Sequence, residues 1–185
     1  MPFRNTPETF GWVSIVLHWG VAIVVFALFG VGLYMVDLSY YHSLYQTLPH
    51  WHRSAGLLLS AVVLLRLTWR FYSPPPEPLP SHSANDQRMA ALAHWVMYLL
   101  LVGMFVSGYL MSTADGRGIK VFDWFQVPSV TGQVKNLEDW AGDLHYWLAW
   151  TLMGLVALHA AAAIKHHFVD RDSTLRRMLG LSRKD

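Results

Sequence analysis

Residues 144–164 read LHYWLAWTLMGLVALHAAAAI, and this stretch decides the fold. It contains no Asp, Glu, Lys or Arg. About 20 apolar residues, at about 1.5 Å rise per residue, cross a hydrocarbon core of about 30 Å. Lipid offers the backbone no hydrogen-bond partners, so the stretch is predicted to be a transmembrane α-helix. It holds His145 and His159, and a histidine inside a membrane helix usually marks function.

Three further stretches share this length and apolar character. With the first, they give four predicted spans, at residues 13–36, 50–69, 89–112 and 144–164. The second is the weakest because Arg66 lies inside its far end, where a long side chain can still reach the interface. The sequence therefore predicts an all-α fold, a transmembrane four-helix bundle, with residues 1–185 forming a single integral-membrane domain.

The composition supports this class and excludes others. Hydrophobic residues make up 54% and charged residues 14% of the chain, whereas about a quarter of a soluble domain is charged. The net charge of +2 is small, and no basic stripe points to a nucleic-acid partner. The absence of cysteine excludes disulfides, iron–sulfur clusters and covalently attached haem.

The distribution of Lys and Arg predicts the orientation. Most of them lie in the connection 66–88 and in the tail from Lys165 onward, while those of residues 113–143 are diluted by acidic residues. Both termini are therefore expected on the cytoplasmic side, with 113–143 as a long outer loop. Residues 1–11 lack the form of a cleavable signal, so the first span is taken as mature structure.

Depth in the membrane groups four histidines into two pairs. His18 lies near the inner side of the first span, and His52 opens the second span on the outer side. His145 opens the fourth span on the outer side, and His159 follows it by 14 residues. That spacing corresponds to about 21 Å along the helix and about 40° around it. The predicted pairs are His18 with His159 inside, and His52 with His145 outside.

Each pair joins two helices at one depth, as the two axial ligands of a haem iron must. Helical bundles build cofactor sites from side chains on facing helices. A lone histidine in a membrane helix more often forms a hydrogen bond to a neighbouring helix, but two pairs matched in depth favour ligation of haem iron. His50 remains an alternative to His52, because it lies two residues away on the same helix.

The remaining polar residues receive plainer interpretations. Arg66 and His166 are expected to face the inner cofactor, as part of a quinone or proton side, or else to be interfacial anchors. His94 is expected at the inner surface, with the same two interpretations. His42 in the outer loop and His82 in the inner linker are expected to be solvated.

Several motifs follow one family in order along nearly the whole chain. They are LHW at 17–19, HRSAG at 52–56, LAH at 92–94, HAAAAIKHH at 159–167 and DRDSTLRRM at 170–178. The chain thereby resembles the bacterial cytochrome b561 family, which is related to the cytochrome b subunits of nickel–iron hydrogenase and formate dehydrogenase.

The resemblance implies a multi-pass protein of the bacterial inner membrane with two non-covalent b haems. Their ligands would be His18, His52, His145 and His159. Electrons would pass from a periplasmic-side donor, either a small molecule such as superoxide or a protein, to membrane quinone, with ubiquinone as the expected substrate. The chain would then be a quinone-linked oxidoreductase. Two alternatives are a metal-ion or proton transporter that uses the same histidines, and a non-catalytic anchor subunit of a larger redox complex.

Overall fold

The computed structural model describes residues 1–181. It is built mainly of helices, with one small hairpin. The elements are α1 (Trp12–Val36), α2 (Thr47–Tyr72), α3 (Ala84–Thr113), β1 (Ile119–Val121), β2 (Phe125–Val127), α4 (Leu137–Phe168) and α5 (Thr174–Met178).

The helices α1 to α4 are each long and apolar enough to cross a membrane. Their most apolar windows have a mean hydropathy between 1.4 and 2.3, yet only 6–17% of each window is buried inside the protein. Large apolar side chains such as Ile23, Leu99 and Leu158 are more than 60% exposed. Apolar surface on this scale requires a lipid environment rather than water. The prediction of an all-α fold with four candidate membrane-spanning helices is confirmed.

All four helices extend past the predicted apolar spans, because polar residues can form the first and last turns of a helix. The N-terminus of α3 has a reciprocal cap, in which the Asp86 amide donates to the Ser83 hydroxyl while the Asp86 carboxylate accepts from Ser83. In α4 the first turn carries Glu138 and Asp139, and the last turn is basic. The acidic residues at the N-terminus and the basic residues at the C-terminus both interact favourably with the helix dipole. As a result, α4 begins at Leu137 rather than near residue 144.

The long loop between α3 and α4 contains an antiparallel hairpin that the sequence did not predict. Ile119 pairs with Val127 and Val121 with Phe125. The turn between the strands places Phe122 and Asp123 at positive φ. On the other side of the loop, the Tyr109 hydroxyl donates to the Pro128 carbonyl at 2.7 Å. Strands of three residues are too short to show a clear alternation of apolar and polar positions.

The chain divides into two compact units. The terminal unit comprises Met1–Gly20, Val63–Leu99 and the described part of Leu152–Asp185. The loop unit comprises Val21–Val62 and Leu100–Thr151. In the terminal unit, Val63 and Leu152 are buried. In the loop unit, Val121 and Ala141 are fully buried.

Ser54 ties the hairpin to α2 within the loop unit. Its side chain is fully buried, its hydroxyl donates to the Lys120 carbonyl at 3.2 Å, and it accepts from the Phe122 amide at 3.0 Å. Ser54→Ala is expected to destabilise the hairpin by about 1 kcal/mol, because the partly buried Phe122 amide loses its acceptor. Hydrogen exchange at residues 119–127 should accelerate. Ser60→Ala is the matched control, since the Ser60 hydroxyl donates within α2; equal acceleration in both variants would contradict the role of Ser54.

Candidate functional site

Two histidines from different helices face each other in the loop unit. His52 lies in the second turn of α2, and His145 lies in α4. Their ring centroids are 6.3 Å apart, and the ring planes are inclined by 74°. The Nδ1 atom of His52 is buried and has no hydrogen-bond partner among the described residues. The pair predicted from depth is therefore brought together here.

The contacts of His145 fix its tautomer. Its Nδ1 atom lies 3.1 Å from the Met104 carbonyl and 3.1 Å from the Ser107 hydroxyl. A carbonyl only accepts, and the Ser107 hydroxyl is itself within reach of the Gly103 carbonyl at 2.8 Å. Nδ1 therefore carries the proton, and the Nε2 lone pair is free to bind a metal.

Glycines give the two rings of the loop unit their space. A Cβ atom at Gly108 would lie 3.0 Å from Cε1 of His145, and one at Gly32 would lie 3.4 Å from Cε1 of His52. The first distance is tighter than ordinary van der Waals contact. The imidazoles thus pack directly against helix backbone, which limits their rotation.

The terminal unit brings together a second pair. His18 of α1 and His159 of α4 have ring centroids 6.3 Å apart, with the planes inclined by 76°. His94 of α3 packs against His159, and the centroids of these two rings are 5.3 Å apart. Arg66 of α2 reaches the same cluster, so all four membrane helices contribute a polar side chain.

Arg66 binds His18 directly. Its Nη2 atom lies 2.9 Å from Nδ1 of His18, and its guanidinium lies 5.7 Å from the centre of the Tyr98 ring. A guanidinium only donates, so Nδ1 of His18 accepts here and Nε2 carries the proton. Ligation of a metal by Nε2 of His18 therefore requires Arg66 to leave Nδ1. Within the described residues no carboxylate pairs with Arg66, which leaves it available for an external anion.

Both pairs have the spacing of imidazoles that share one metal ion. Two metal–nitrogen bonds of about 2 Å and two ring radii of about 1 Å separate such centroids by roughly 6 Å. The observed 6.3 Å in each pair matches this value. The residues present therefore fit a haem iron that the two histidines of a pair would hold.

The histidines outside these pairs occupy other environments. His50 lies with Nε2 3.6 Å from the Asp123 carboxylate, so it is His52 that meets His145. His42 is exposed, as expected for a loop residue. His82 differs from the expectation of a solvated residue: its side chain is only 18% exposed, and Nε2 lies 2.8 Å from the Asp172 carboxylate.

His166 belongs to the same cluster as His82. Their ring centroids are 4.7 Å apart, and Nδ1 of His166 lies 2.8 Å from the Asp170 carboxylate. The spacing of residues along α4 relates His166 to His159 but carries no information about the segment after the helix, which supplies both carboxylates. The cluster of His82, His166 and Asp172 was therefore missed from sequence.

The sequence matches known proteins over nearly its whole length. The family model described as prokaryotic cytochrome b561 matches residues 9–181. The chain belongs to the prokaryotic cytochrome b561 family. Cytochromes of this family bind b-type haem, so the chain is a haem-binding, multi-pass protein of the inner membrane that serves in electron transfer.

Relatives in the cytochrome b561 family cover most of the chain. Cytochrome b561 homolog 2 of Escherichia coli (strain K12) is 48% identical over 185 residues, which is 100% of this chain and 98% of the relative. Cytochrome b561 homolog 1 of the same organism is 26% identical, over 92% of this chain and 96% of the relative. The protein named "Probable superoxide oxidase CybB" of Yersinia pestis is 29% identical over 69% of this chain and 72% of its own length.

Proposed function

We infer that the protein carries electrons across the inner membrane through two b haems, from a periplasmic-side donor to quinone. His18 and His159 would hold one haem, and His52 and His145 the other. The observation that carries the proposal is the repeated geometry: two histidine pairs, each from two helices, with the same centroid separation of 6.3 Å.

The chain's own residues prepare these sites. The Met104 carbonyl holds the proton of His145 on Nδ1, which leaves Nε2 for the iron. In the terminal unit, Arg66 offers a positive charge to a haem propionate once it leaves His18. Bound haem would supply a one-electron iron couple, and iron held by two histidines would favour outer-sphere electron transfer.

The terminal unit also has the groups that quinone chemistry needs. Ubiquinone takes up two protons with its two electrons, so its site requires proton donors as well as a nearby haem. His94 lies against His159, and Arg66 lies against His18. His166 lies half-buried beside the Asp170 carboxylate near the end of α4, and an imidazole can both donate and accept a hydrogen bond. We assign these three residues to the quinone and proton side.

The donor would react on the periplasmic side. Basic residues concentrate in the connection 66–88 and in the tail, which favours a cytoplasmic location for both termini and a periplasmic location for the loop of the hairpin. The histidine pair of the loop unit is then the entry point. Superoxide is the donor proposed here, and the name of the Yersinia pestis relative supports that choice.

The test is the haem content of the purified protein. Acid–acetone extraction followed by a pyridine haemochrome assay should give two extractable haems per chain, and the reduced-minus-oxidised spectrum should show a b-type cytochrome. One haem per chain would contradict the two-site proposal. Absence of haem, together with bound transition metal, would favour the transporter alternative.

A further inference from the structure

A second group of potential metal ligands lies outside both histidine pairs. His82 belongs to the linker between α2 and α3, His166 to the last turn of α4, and Asp172 to the segment that follows α4. One ligand atom from each lies within 4.8 Å of the other two. Three separate chain segments thus converge on one point of the terminal unit.

The orientation of Asp172 directs one oxygen into this group. Its Oδ1 atom accepts from the Thr174 amide at 2.8 Å, while Oδ2 lies 2.8 Å from Nε2 of His82 and 3.5 Å from Nδ1 of His166. Burial raises the pKa of Asp172, but hydrogen bonds from Thr174 and His82 outweigh it and hold the pKa below its usual value. The carboxylate is therefore charged at neutral pH, although its side chain is only 7% exposed.

His166 supplies a buried nitrogen to the same point. Its Nδ1 atom lies 2.8 Å from the Asp170 carboxylate and 3.5 Å from the Asp172 carboxylate. A cation at this point would bind the Nδ1 lone pair and would offset the charge of the Asp172 carboxylate, which is almost fully buried.

We propose that His82, His166 and Asp172 bind a divalent transition-metal cation of the zinc class. Imidazole nitrogens favour such metals over Mg²⁺ or Ca²⁺, and two nitrogens with one carboxylate leave a fourth tetrahedral position for water. Ligand atoms of a tetrahedral site with bonds of about 2.0–2.1 Å lie a little over 3 Å apart. The two separations that involve Asp172 are 2.8 and 3.5 Å, and all three ligand atoms lie within 4.8 Å of one another. Binding would draw the three atoms around the cation and would release the proton that Nε2 of His82 donates to Asp172. The site would fasten the linker to the end of α4.

Zinc titration of the tag-free, haem-loaded protein tests this site. Competition with a chromophoric chelator should show one Zn²⁺ per chain, and His82→Ala and Asp172→Asn should each weaken binding at least about tenfold. His167→Ala is the matched control, because His167 is the next residue in α4 and its ring contacts Phe168. Unchanged affinity in the first two variants, or equal loss in the control, would overturn the proposal.

A second measurement does not depend on how well the variants fold. Zinc K-edge X-ray absorption of the wild-type complex should show nitrogen and oxygen neighbours at about 2.0–2.1 Å with the scattering of two imidazole rings. A spectrum without imidazole scattering would overturn the assignment. Neither measurement depends on haem ligation or quinone turnover, so a failure here would leave the electron-transfer proposal unchanged. A bound metal would occupy Nδ1 of His166 and would exclude this residue from the proton relay, leaving His94 and Arg66 on the quinone side.

Discussion

His52→Ala and His145→Ala are each expected to reduce the haem content from two per chain to one. The two rings lie 6.3 Å apart, which is the separation of imidazoles on one metal ion, so removing either ring leaves an incomplete ligand set. The remaining haem should keep its b-type spectrum, because the pair in the terminal unit is intact. Pyridine haemochrome assays normalised to protein would measure the loss.

His50→Ala is the control for this experiment. His50 lies on the same helix two residues before His52, but its Nε2 atom is 3.6 Å from the Asp123 carboxylate. The variant should keep both haems. If His50→Ala loses a haem while His52→Ala retains two, the ligand assignment in the loop unit is wrong.

The reciprocal variants separate the two sites. His18→Ala or His159→Ala should remove the other haem and leave the first in place. Loss of both haems from any one of the four variants would indicate that the protein failed to fold. Free imidazole then provides a rescue test, since it can take the place of the missing histidine ring and restore haem binding in a variant that has folded.

The fold was largely predictable because membrane insertion imposes a simple constraint. A span must be apolar for about 20 residues and must satisfy its backbone internally, so hydropathy alone indicates the four helices. The helix ends were less predictable, because they depend on caps. Ser83 with Asp86 begins α3, and an acidic first turn begins α4, in segments that are not apolar.

The histidine pairs were predictable for a related reason. The rise per residue fixes depth along a helix, so the separation of 14 residues between His145 and His159 places them at two levels. The choice between His50 and His52 also follows from helix rotation, but it requires knowing which face of α2 meets α4. The structure brings His52 to His145, and its role as a ligand stays a prediction.

Other features depend on contacts between segments that are distant in sequence. His82 and Asp172 are 90 residues apart. Neither lies in a periodic apolar segment from which its position in the fold could be predicted. Likewise, Ser54 is buried because the hairpin folds onto α2, which no local pattern in HRSAG shows. Such pairings require a tertiary structure.

Arg66→Met is expected to slow haem reoxidation by a soluble ubiquinone analogue by about 10- to 100-fold, with two haems still bound. A hydrogen bond from a charged group contributes about 1.5–3 kcal/mol, which corresponds to that range of rates if it is made to the reacting quinone. Stopped-flow reoxidation normalised to haem content is the measurement. Arg70→Met is the matched control, because Arg70 lies one turn further along α2.

Replacing His94 or His166 tests the proton side of the same reaction. His94→Ala and His166→Ala should also slow reoxidation with both haems retained, because each would remove an imidazole that can donate a hydrogen bond to quinone or to the water that supplies its protons. His167→Ala is the control for His166. Unchanged rates in both variants would place proton delivery elsewhere.

The direction in which Arg66→Met changes the rate of haem reoxidation shows whether Arg66 contacts quinone or acts only on the haem. Arg66 lies beside His18, and after it leaves Nδ1 its positive charge would still lie near a haem held there and would stabilise the reduced form of that haem. Removing that charge lowers the haem reduction potential and makes the haem a stronger reductant, which would accelerate reoxidation. A slower rate in Arg66→Met therefore reports a lost contact with quinone and not an altered haem. If Arg66 only anchors α2 at the interface, expression or melting temperature falls while the rate per haem stays unchanged, and the quinone assignment fails.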